Sequence, residues 1–471
     1  LIPPDAVSGI YTVTASLYDS GRVIHTKEIK LNVGSTDAAI LAGGYNFGGT
    51  YPDYARSAKM DSDGNLYASV SYGASERVVT GTHRECHTEW CGNPFDLFRC
   101  EKCKTVTDYA DVARRTDYIV KFNSSMEQVW ARDFPGQVVN DVAYTADGGV
   151  NAIIDGKTLV ALDSDGSTVS SSDITIDTWT AEKIMTDSTG SLYLFYAQPA
   201  GGIIARKYSS SGSLLAEAAV LSGTTVTSCI LKDNSIYILG GGTGFISAVK
   251  LDLNLVEQWV YDKIFTGAVT PGSMTADSTG ALYFTGEAQA GEIFGSGAAG
   301  KACFIAKVDP LGNEVWIKGI NGADYLAVPQ VNQYYLASRR LPPLIDVSAD
   351  GTVRVISGTT ESKTVQVWVE RETLCTSTDD NGVTYSYKCG TEMYQVDQTI
   401  TVGSMVIRTY NSSGGVESIR TVPSYNGTHY YQGMFVDHDG RINIYGSTTG
   451  RMIESSVNSG MLDWFYVRVE N

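Results

Sequence analysis

Short runs of alternating apolar and polar residues cover most of the chain, and each run ends at a turn rich in Asp, Asn, Ser or Gly. This alternation is typical of β-strands with one face more buried than the other. One phrase recurs, with clear copies at Asp61-Ser-Asp-Gly64-Asn-Leu-Tyr67 and Asp277-Ser-Thr-Gly280-Ala-Leu-Tyr283. It predicts a hairpin, because Asp accepts backbone hydrogen bonds where the chain reverses and Gly tolerates a positive φ.

The phrase occurs seven times. The turn glycine, or the asparagine equivalent to it, stands at Gly64, Gly148, Gly190, Asn234, Gly280, Gly351 and Gly440. Three successive steps are 42, 44 and 46 residues long, whereas the steps of 84, 71 and 89 residues contain insertions. A second phrase follows most copies, as in Lys307-Val-Asp309 with Trp316, and predicts a second hairpin. Four strands per unit and seven units predict an all-β, seven-bladed β-propeller of four-stranded blades.

Two insertions and an N-terminal hairpin complete the predicted organisation. Residues 36–471 form the propeller, and the insertions at about 77–116 and 361–403 fall between strands two and three of blades 1 and 6. Residues 1–35 form a β-hairpin. We expect residues 22–33 to close the last blade, because its third strand at the C-terminus would otherwise expose an edge. Alternatively, the hairpin ends an immunoglobulin-like domain or completes a neighbouring subunit by strand addition.

Blades 5 to 7 carry a resemblance to a known repeat. Tyr283-Phe-Thr-Gly286, then Cys303-Phe-Ile-Ala-Lys-Val-Asp309 and Trp316, resembles the β-propeller repeat of bacterial and archaeal surface proteins, here called SBBP-like. The match is looser over blades 2 to 4. The resemblance implies the propeller fold and a location at the cell surface, and it implies no catalytic residues.

Composition narrows the classes of partner. A net charge of −17 excludes a protein that tracks nucleic-acid phosphates or anionic membranes, and no apolar run is long enough to span a bilayer. The 49 glycines and 28 tyrosines suit many short strands and tight turns. Because the chain starts at Leu1 and not at Met, we expect a processed or excised piece.

Cysteines and sequons favour an exported, glycosylated protein that is extracellular or at the cell surface. The sequons begin at Asn123, Asn411 and Asn426, each beside a turn. Cys229 and Cys303 lie in apolar runs and are expected in the core. The remaining cysteines are expected to form disulfides in the insertions: Cys86, Cys91, Cys100, Cys103, Cys375 and Cys389.

Zinc is the alternative reading of the first insertion. The candidate ligands are His83, Cys86, His87, Cys91, Cys100 and Cys103. Their spacing lacks the paired Cys-x-x-Cys units of a zinc ribbon, so disulfides are favoured and no cofactor is expected.

Tyrosine-rich loops between blades are the candidate binding surface. They lead into blades 1, 6 and 7, which are consecutive around the ring, and so share one sector of one face with the two insertions. Tyrosine gives a large, rigid contact area that suits a protein or a glycan; the alternative is that these loops plug and cover the ring. The candidate residues are Tyr45, Tyr51, Tyr54, Tyr325, Tyr334, Tyr335, Tyr425, Tyr430 and Tyr431.

Catalytic signatures are absent from the sequence, which has five histidines and no nucleophile or phosphate-binding motif. The function favoured is a non-catalytic structural or adhesive propeller that binds protein or glycan through one loop face, as a possible subunit of a surface filament or appendage built from copies of itself. The alternative is a secreted glycan-binding or glycan-hydrolysing enzyme, since paired carboxylates leave no short motif. Its first candidate residues are Glu287, Arg339 and Arg340.

Overall fold

A computed structural model of the chain confirms the predicted all-β fold. It describes residues 9–19, 22–33, 41–47, 53–91, 98–125, 127–176, 179–198, 201–295, 298–320, 326–327, 340–348, 350–378, 384–422, 429–437, 439–448 and 463–470. Seven sheets of four antiparallel strands form the blades of a propeller. The predicted seven-bladed architecture is therefore confirmed by strand pairing.

Strands β1 and β2 form the N-terminal hairpin, Gly9–Asp19 and Arg22–Val33, and β3 is Leu41–Phe47. Blade 1 comprises β4 to β7, at Tyr54–Met60, Leu66–Cys91, Phe98–Phe122 and Gln128–Pro135. Blade 2 comprises β8 to β11, at Val139–Tyr144, Val150–Ile154, Thr158–Leu162 and Thr168–Asp173. Blade 3 comprises β12 to β15, at Thr180–Thr186, Leu192–Ala197, Gly202–Tyr208 and Leu214–Ser222. Blade 4 comprises β16 to β19, at Thr225–Lys232, Ser235–Gly242, Phe245–Asp252 and Glu257–Ile264.

Blade 5 comprises β20 to β23, at Thr270–Ala276, Leu282–Gln289, Lys301–Val308 and Glu314–Gly319, with the helix α1, Ala290–Phe294, between its second and third strands. A small hairpin follows, with β24 at Leu326–Ala327 and β25 at Arg340–Leu341. Blade 6 comprises β26 to β29, at Leu344–Val347, Val353–Thr378, Thr384–Tyr410 and Val416–Val422. The last three strands are β30 to β32, at His429–Val436, Ile442–Thr448 and Asp463–Val469. Within the described residues, no helix has the length and apolar character needed to cross a bilayer.

The ring is closed by β3 and not by residues 22–33, so that expectation was wrong. Strand β3 pairs antiparallel with the C-terminal strand β32, from Leu41 opposite Val469 to Phe47 opposite Trp464. Strand β2 pairs instead with β1, in a two-stranded sheet of their own. The sequence pattern did not predict β3, because positions 43 and 44 are glycines and glycine is depleted in strands. The edge of blade 7 is nevertheless covered from the N-terminal side of the chain.

Hydrophobic side chains are buried between neighbouring blades. One such cluster joins Tyr67 and Ile119 of blade 1 to Val142 and Ala152 of blade 2. Because each blade is covered on both faces, its inner strands are apolar almost continuously; five of the six residues of β13 are buried. The first strands of the seven blades line a central channel.

A cross-strand column of Tyr, Lys and Trp accounts for the second repeated phrase. In blade 5, Tyr283 stands opposite Lys307, and Lys307 stands opposite Trp316. The Lys307 ammonium lies 4.9 Å from the centre of the Tyr283 ring, close enough for a cation–π contact. The equivalent pairs in blades 1, 3 and 4 are Lys121 with Tyr67, Lys207 with Tyr193 and Lys250 with Tyr237, at 5.2, 5.5 and 5.4 Å. The repeated Tyr and Lys are therefore partners.

The outer end of this column reaches the next blade. Trp259 of blade 4 donates from Nε1 to the backbone oxygen of Pro310 in blade 5, at 3.0 Å. Trp130 of blade 1 likewise donates from Nε1 to the backbone oxygen of Ser164 in blade 2, at 2.7 Å. Gly312 follows Pro310 with φ +91°, and a Cβ on it would lie 2.9 Å from Trp259 Cγ. This turn therefore needs glycine for its backbone and for the indole beside it.

The Asp-rich turns are turns, as the sequence predicted. Asp61 accepts the backbone N–H of Asp63 at 3.0 Å and that of Asn65 at 2.9 Å. Asp163 and Asp437 make the same pair of bonds within their own turns.

Buried carboxylates tie the inner strands together. Asp141 accepts the hydroxyl of Ser57 in blade 1 and the N–H of Ile184 in blade 3, the latter at 3.0 Å. Asp346 of blade 6 accepts the Thr275 hydroxyl at 2.9 Å and the Val436 N–H at 2.6 Å. Each carboxylate thereby connects three consecutive blades.

Replacing Gly312 with alanine should destabilise the propeller far more than replacing Gly212. Both glycines have left-handed backbones, at φ +91° and +85°, but nothing lies within 4 Å of a Cβ at Gly212. We expect a loss of about 1 kcal/mol for Gly212→Ala from backbone strain. For Gly312→Ala we expect about 3 kcal/mol, since the overlap with Trp259 adds to that strain. Chemical denaturation measures both, and equal losses would contradict the role assigned to the indole.

Acid should weaken the fold through its turns. The N–H of Asn313 lowers the pKa of Asp309, and the Ser348 hydroxyl lowers that of Asp350 to about 2. Both values lie below the unfolded value of about 3.9, so the stabilisation is present above pH ~4 and is lost as the pH falls toward ~2. Denaturation at pH 5, 3.5 and 2 measures this loss. Asp309→Asn with Asp350→Asn keeps the acceptors without titrating, and an unchanged pH slope in that variant would contradict the assignment.

Candidate functional site: two hairpin arms on one face

Two hairpins project from the face of the ring where strands two and three connect. In an antiparallel four-stranded blade, this connection and the link to the next blade lie at the same end. Strands β5 and β6 have 26 and 25 residues, and β27 and β28 have 26 and 27. The predicted insertions therefore lie where expected, but they are continuations of blade strands. We call the ribbon 73–91 with 98–115 arm 1, and the ribbon 359–378 with 384–404 arm 6.

Both arms are two-stranded ribbons beyond the ring. The fourth strand of blade 1 ends opposite Thr116, while pairing of arm 1 continues from Gly73–Arg115 to Cys91–Phe98. Arm 6 continues likewise from Thr359–Ser404 to Thr378–Thr384. At about 3.3 Å per residue, each arm would reach roughly 60 Å if it were straight. Among the described strands, nothing pairs with their outer edges, and such edges are templates for another chain.

A buried carboxylate anchors arm 1 where it leaves the ring. Asp117 is fully buried. It accepts the Ser71 hydroxyl at 2.7 Å, the Arg115 guanidinium at 2.9 Å and the N–H of Val139 in blade 2 at 2.9 Å. Arg56 approaches it to 3.3 Å. The base of the arm is therefore tied to two blades, an anchor that no sequence pattern predicted.

A disulfide crosslinks arm 1 farther out. Cys86 and Cys103 stand opposite each other and are bonded, 17 residues apart in sequence. This bond occupies two of the sulfurs that the zinc alternative required. The side chains of Cys91, Cys100 and His87 lie outside the described part, so their pairing stays a prediction. Within the described residues, no group of three His, Cys, Asp or Glu side chains could hold a metal.

Exposed ion pairs lie near the disulfide of arm 1. His83 lies 2.5 Å from Asp108, whose hydrogen bond and charge raise the pKa of the imidazole. Lys104 lies 3.2 Å from Glu85, directly across the ribbon, and lowers the pKa of that carboxyl. These pairs are solvated and hold the two strands in register.

In arm 6, Cys375 is disulfide-bonded. Cys389 falls at a bulge between the pairs Thr373–Gly390 and Leu374–Lys388, next to Cys375 in the ladder. Its side chain is outside the described part, so the Cys375–Cys389 pair stays a prediction. Cys229 and Cys303 are buried, as expected of core residues.

The tyrosines of the candidate set that the structure describes lie in strands and not in loops. Tyr51, Tyr325, Tyr334, Tyr335 and Tyr425 are outside the described residues. Tyr45 lies in β3 opposite Tyr466, and Tyr54 begins β4.

Tyr430 and Tyr431 correct the loop placement. Both lie in β30 and are buried in the core between blades 6 and 7, with exposures of 6% and 0%. The Tyr431 hydroxyl accepts the N–H of Gly358 at 3.2 Å. The sequence prediction failed here because the preceding loop ends before His429, and two adjacent tyrosines can both be buried when a blade has a neighbour on each face. A partner would not reach these two side chains.

The sequons begin turns between third and fourth strands, on the face opposite the arms. Asn123 accepts two backbone N–H groups of its turn, from Ser125 and Glu127, at 3.0 and 2.9 Å. Asn411 does the same with Ser413 and Gly415, at 3.1 and 2.8 Å. Both asparagines are partly exposed. Asn426 lies outside the described residues, and glycosylation itself stays a prediction.

Of the residues considered for sugar chemistry, only Glu287 has a described side chain. Glu287 is 4% exposed and pairs with Lys301 at 2.9 Å. Arg340 lies in β25, but its side chain is outside the described part. Arg339 is outside the described residues altogether.

Comparison with known proteins adds structural likeness only. No protein-family model matches the chain, and no curated protein matches it. Among solved structures, the Dos1 propeller is similar with a TM-score of 0.44 and 7% identity, over 90% of this chain and 94% of that one. The C-terminal WD40 domain of Sif2 gives 0.44 and 7%, over 91% and 99%. BamB from Moraxella catarrhalis gives 0.34 and 10%, over 74% and 88%.

Removing the disulfide of arm 1 should loosen the arm and leave the ring unchanged. In the chain-entropy model a loop of this length contributes roughly 3 kcal/mol. We expect Cys86→Ser with Cys103→Ser to speed amide hydrogen exchange around Glu85 and Lys104 by about two orders of magnitude. Amides of β13 in blade 3 serve as the internal reference. Equal acceleration in β13 would mean that the bond supports the whole ring.

Proposed function

We propose that this chain is a non-catalytic, extracellular structural or adhesive protein, whose arms bind a protein partner or a glycan. The observation that carries the proposal is the pair of long ribbons on one face of blades 1 and 6. An isolated two-stranded hairpin is marginally stable in water. The Cys86–Cys103 bond and the Asp117 anchor compensate for this in arm 1, and the predicted Cys375–Cys389 pair would do so in arm 6. Such rigid projections from a ring are suited to contact with another molecule.

Assembly with copies of itself is the form of this function that the arms favour. Their unpaired edges offer rows of backbone donors and acceptors, which another strand can complete. A surface filament or appendage would use such contacts repeatedly. The disulfides favour an oxidising compartment. The two sequons described lie on the opposite face, where glycans would leave the arms accessible. The SBBP-like repeat is consistent with this surface role.

The described histidines support a non-catalytic role. His429 is 1% exposed, and burial lowers its pKa to about 4, so it is neutral at pH 7. Its neighbour Thr448, at 2.7 Å, is fully buried as well, so a substrate would not reach the pair. His83 lies on an exposed ribbon in ion pairs with Asp108 and Glu85. The ion pair of Glu287 with Lys301 likewise disfavours the glycan-hydrolase alternative.

Shortening the arms should abolish partner binding and leave the ring folded. Residues 74–114 and 360–403 are each replaced by Asn-Gly, which suits a two-residue hairpin turn. The matched control replaces residues 290–300, the equivalent connection of blade 5, in the same way. We expect the intact chain and the control to form assemblies in electron microscopy and sedimentation, or to bind a glycan array. The armless chain should remain a monomer without such binding.

Two results would overturn the proposal. If the armless chain assembled or bound glycan as well as the intact chain does, the arms would not be the binding surface. Hydrolysis of a glycan by the intact chain would replace the structural role with the enzymatic alternative. A melting temperature equal to that of the control verifies that the armless ring is folded.

A further inference from the structure

The central channel is a cavity that the proposed function does not use. It has a volume of about 660 Å³ and is lined by the first strands of all seven blades. That volume lies within the range of small-molecule binding sites, about 300–1,000 Å³. The channel is lined by the first strands of the blades, whereas the arms extend second and third strands. What it could bind is indicated by the residues of its wall.

Part of the wall is apolar and open to the cavity, beside a larger polar part. Met185, Ile230, Leu344 and Phe435 come from blades 3, 4, 6 and 7. Ile230, Leu344 and Phe435 are only half-buried, so they keep apolar surface toward the channel. Six of the seven first strands contain a register shift in their described pairs, for example between Ala55 and Ser57. Such bulges re-aim side chains next to binding sites. The apolar wall suits the hydrocarbon part of a ligand.

Lys59 places a positive charge in this apolar wall. Its side chain lines the cavity and is half-buried. Among the described residues, Lys59 has no hydrogen bond or ion pair. Partly burying an ammonium without a partner is unfavourable, so an anion in the channel would relieve that cost.

A second amine and two hydroxyls lie near the same part of the channel. Burial raises the pKa of the Cys229 thiol to about 12, and Lys183 and Lys59 oppose that rise. Both ammonium groups are thus within electrostatic reach of the inner strand of blade 4, as are the carboxylates of Asp141 and Glu182. The Ser228 hydroxyl lines the cavity and can donate to an anionic oxygen. Thr186 lines the cavity as well, but its Oγ1 atom is buried from solvent.

Acidic residues limit the charge that such an anion can carry. Asp61, Asp63, Asp437 and Asp439 line the cavity at its turn end, where Arg441 and Arg468 offset them only in part. Asp346 stands in the wall with its carboxylate held by three donors. A multiply charged anion would be repelled, whereas a single charge can be matched by Lys59.

We propose that the central channel binds a small amphipathic monocarboxylate. The carboxylate pairs with Lys59 and accepts a hydrogen bond from Ser228, and the hydrocarbon part packs against Ile230 and Phe435. This site is independent of the arms and of any role in assembly.

Calorimetric titration of the full chain with octanoate tests the site. We expect saturable one-to-one binding, a loss of at least tenfold in affinity for Lys59→Met, and retention for Lys59→Arg. Lys157→Met is the matched control, because Lys157 is exposed in a turn of blade 2. Since Lys59 has no protein partner among the described residues, its replacement should not lower the melting temperature. Ile230→Trp, which fills the channel, should abolish binding in a folded chain.

Probe chemistry separates the alternatives. Octylamine should bind at least tenfold more weakly than octanoate, and octyl phosphate at pH 8, as a dianion, should also bind more weakly. Absence of octanoate binding at millimolar concentration would overturn the proposal, as would equal affinity of Lys59→Met. Tighter binding of octyl phosphate would overturn the assignment to a carboxylate. The armless chain should bind octanoate normally, so this test and that of the arms can fail separately.

Discussion

Contacts between the aromatic column of one blade and the turn of the next, made by blades 1, 3, 4 and 5, are the constraint on which the structure depends. Tyr, Lys and Trp stand opposite one another on three neighbouring strands, and the indole donates to a carbonyl of the next blade. Tyr237 reaches forward in the same way, with its hydroxyl 3.3 Å from the Gly280 oxygen. Blades 2, 4 and 5 thus accept hydrogen bonds from the tyrosines of blades 1, 3 and 4. A blade removed from the ring would leave both neighbours with exposed apolar faces, so stability arises from nearest-neighbour interfaces.

A ring built in this way can carry projections that would not be stable alone. The interblade clusters and the carboxylates Asp141 and Asp346 hold the inner strands independently of what extends from their far ends. Arms 1 and 6 extend strands that are already paired within a blade, so their register is inherited from the ring. Farther out, the Cys86–Cys103 bond replaces the packing that a two-stranded ribbon lacks. The same rigidity keeps Lys59 in a channel wall where it has no partner among the described residues.

Sequence reasoning succeeded where the determinant was local. The spacing of Asp and Gly predicted the turns, because an Asp side chain accepts from residues two and four positions ahead. It failed for β3, whose strand character depends on a partner more than 400 residues away. It also failed for Tyr430 and Tyr431, since burial from two sides cannot be read from one strand. Asp117 gave no signal, because its partners come from separate parts of the chain.

The sequence by itself determined the number of blades, the four strands in each, the turn chemistry and the sites of the two insertions. All of these follow from a repeat of about 42 residues and from alternation along short runs. Only the tertiary structure decided which strand closes the ring, which tyrosines are buried, and that seven inner strands leave a channel with a lysine in its wall. The physical reason is that these features depend on contacts between distant segments. Such contacts form only when all seven blades are in place.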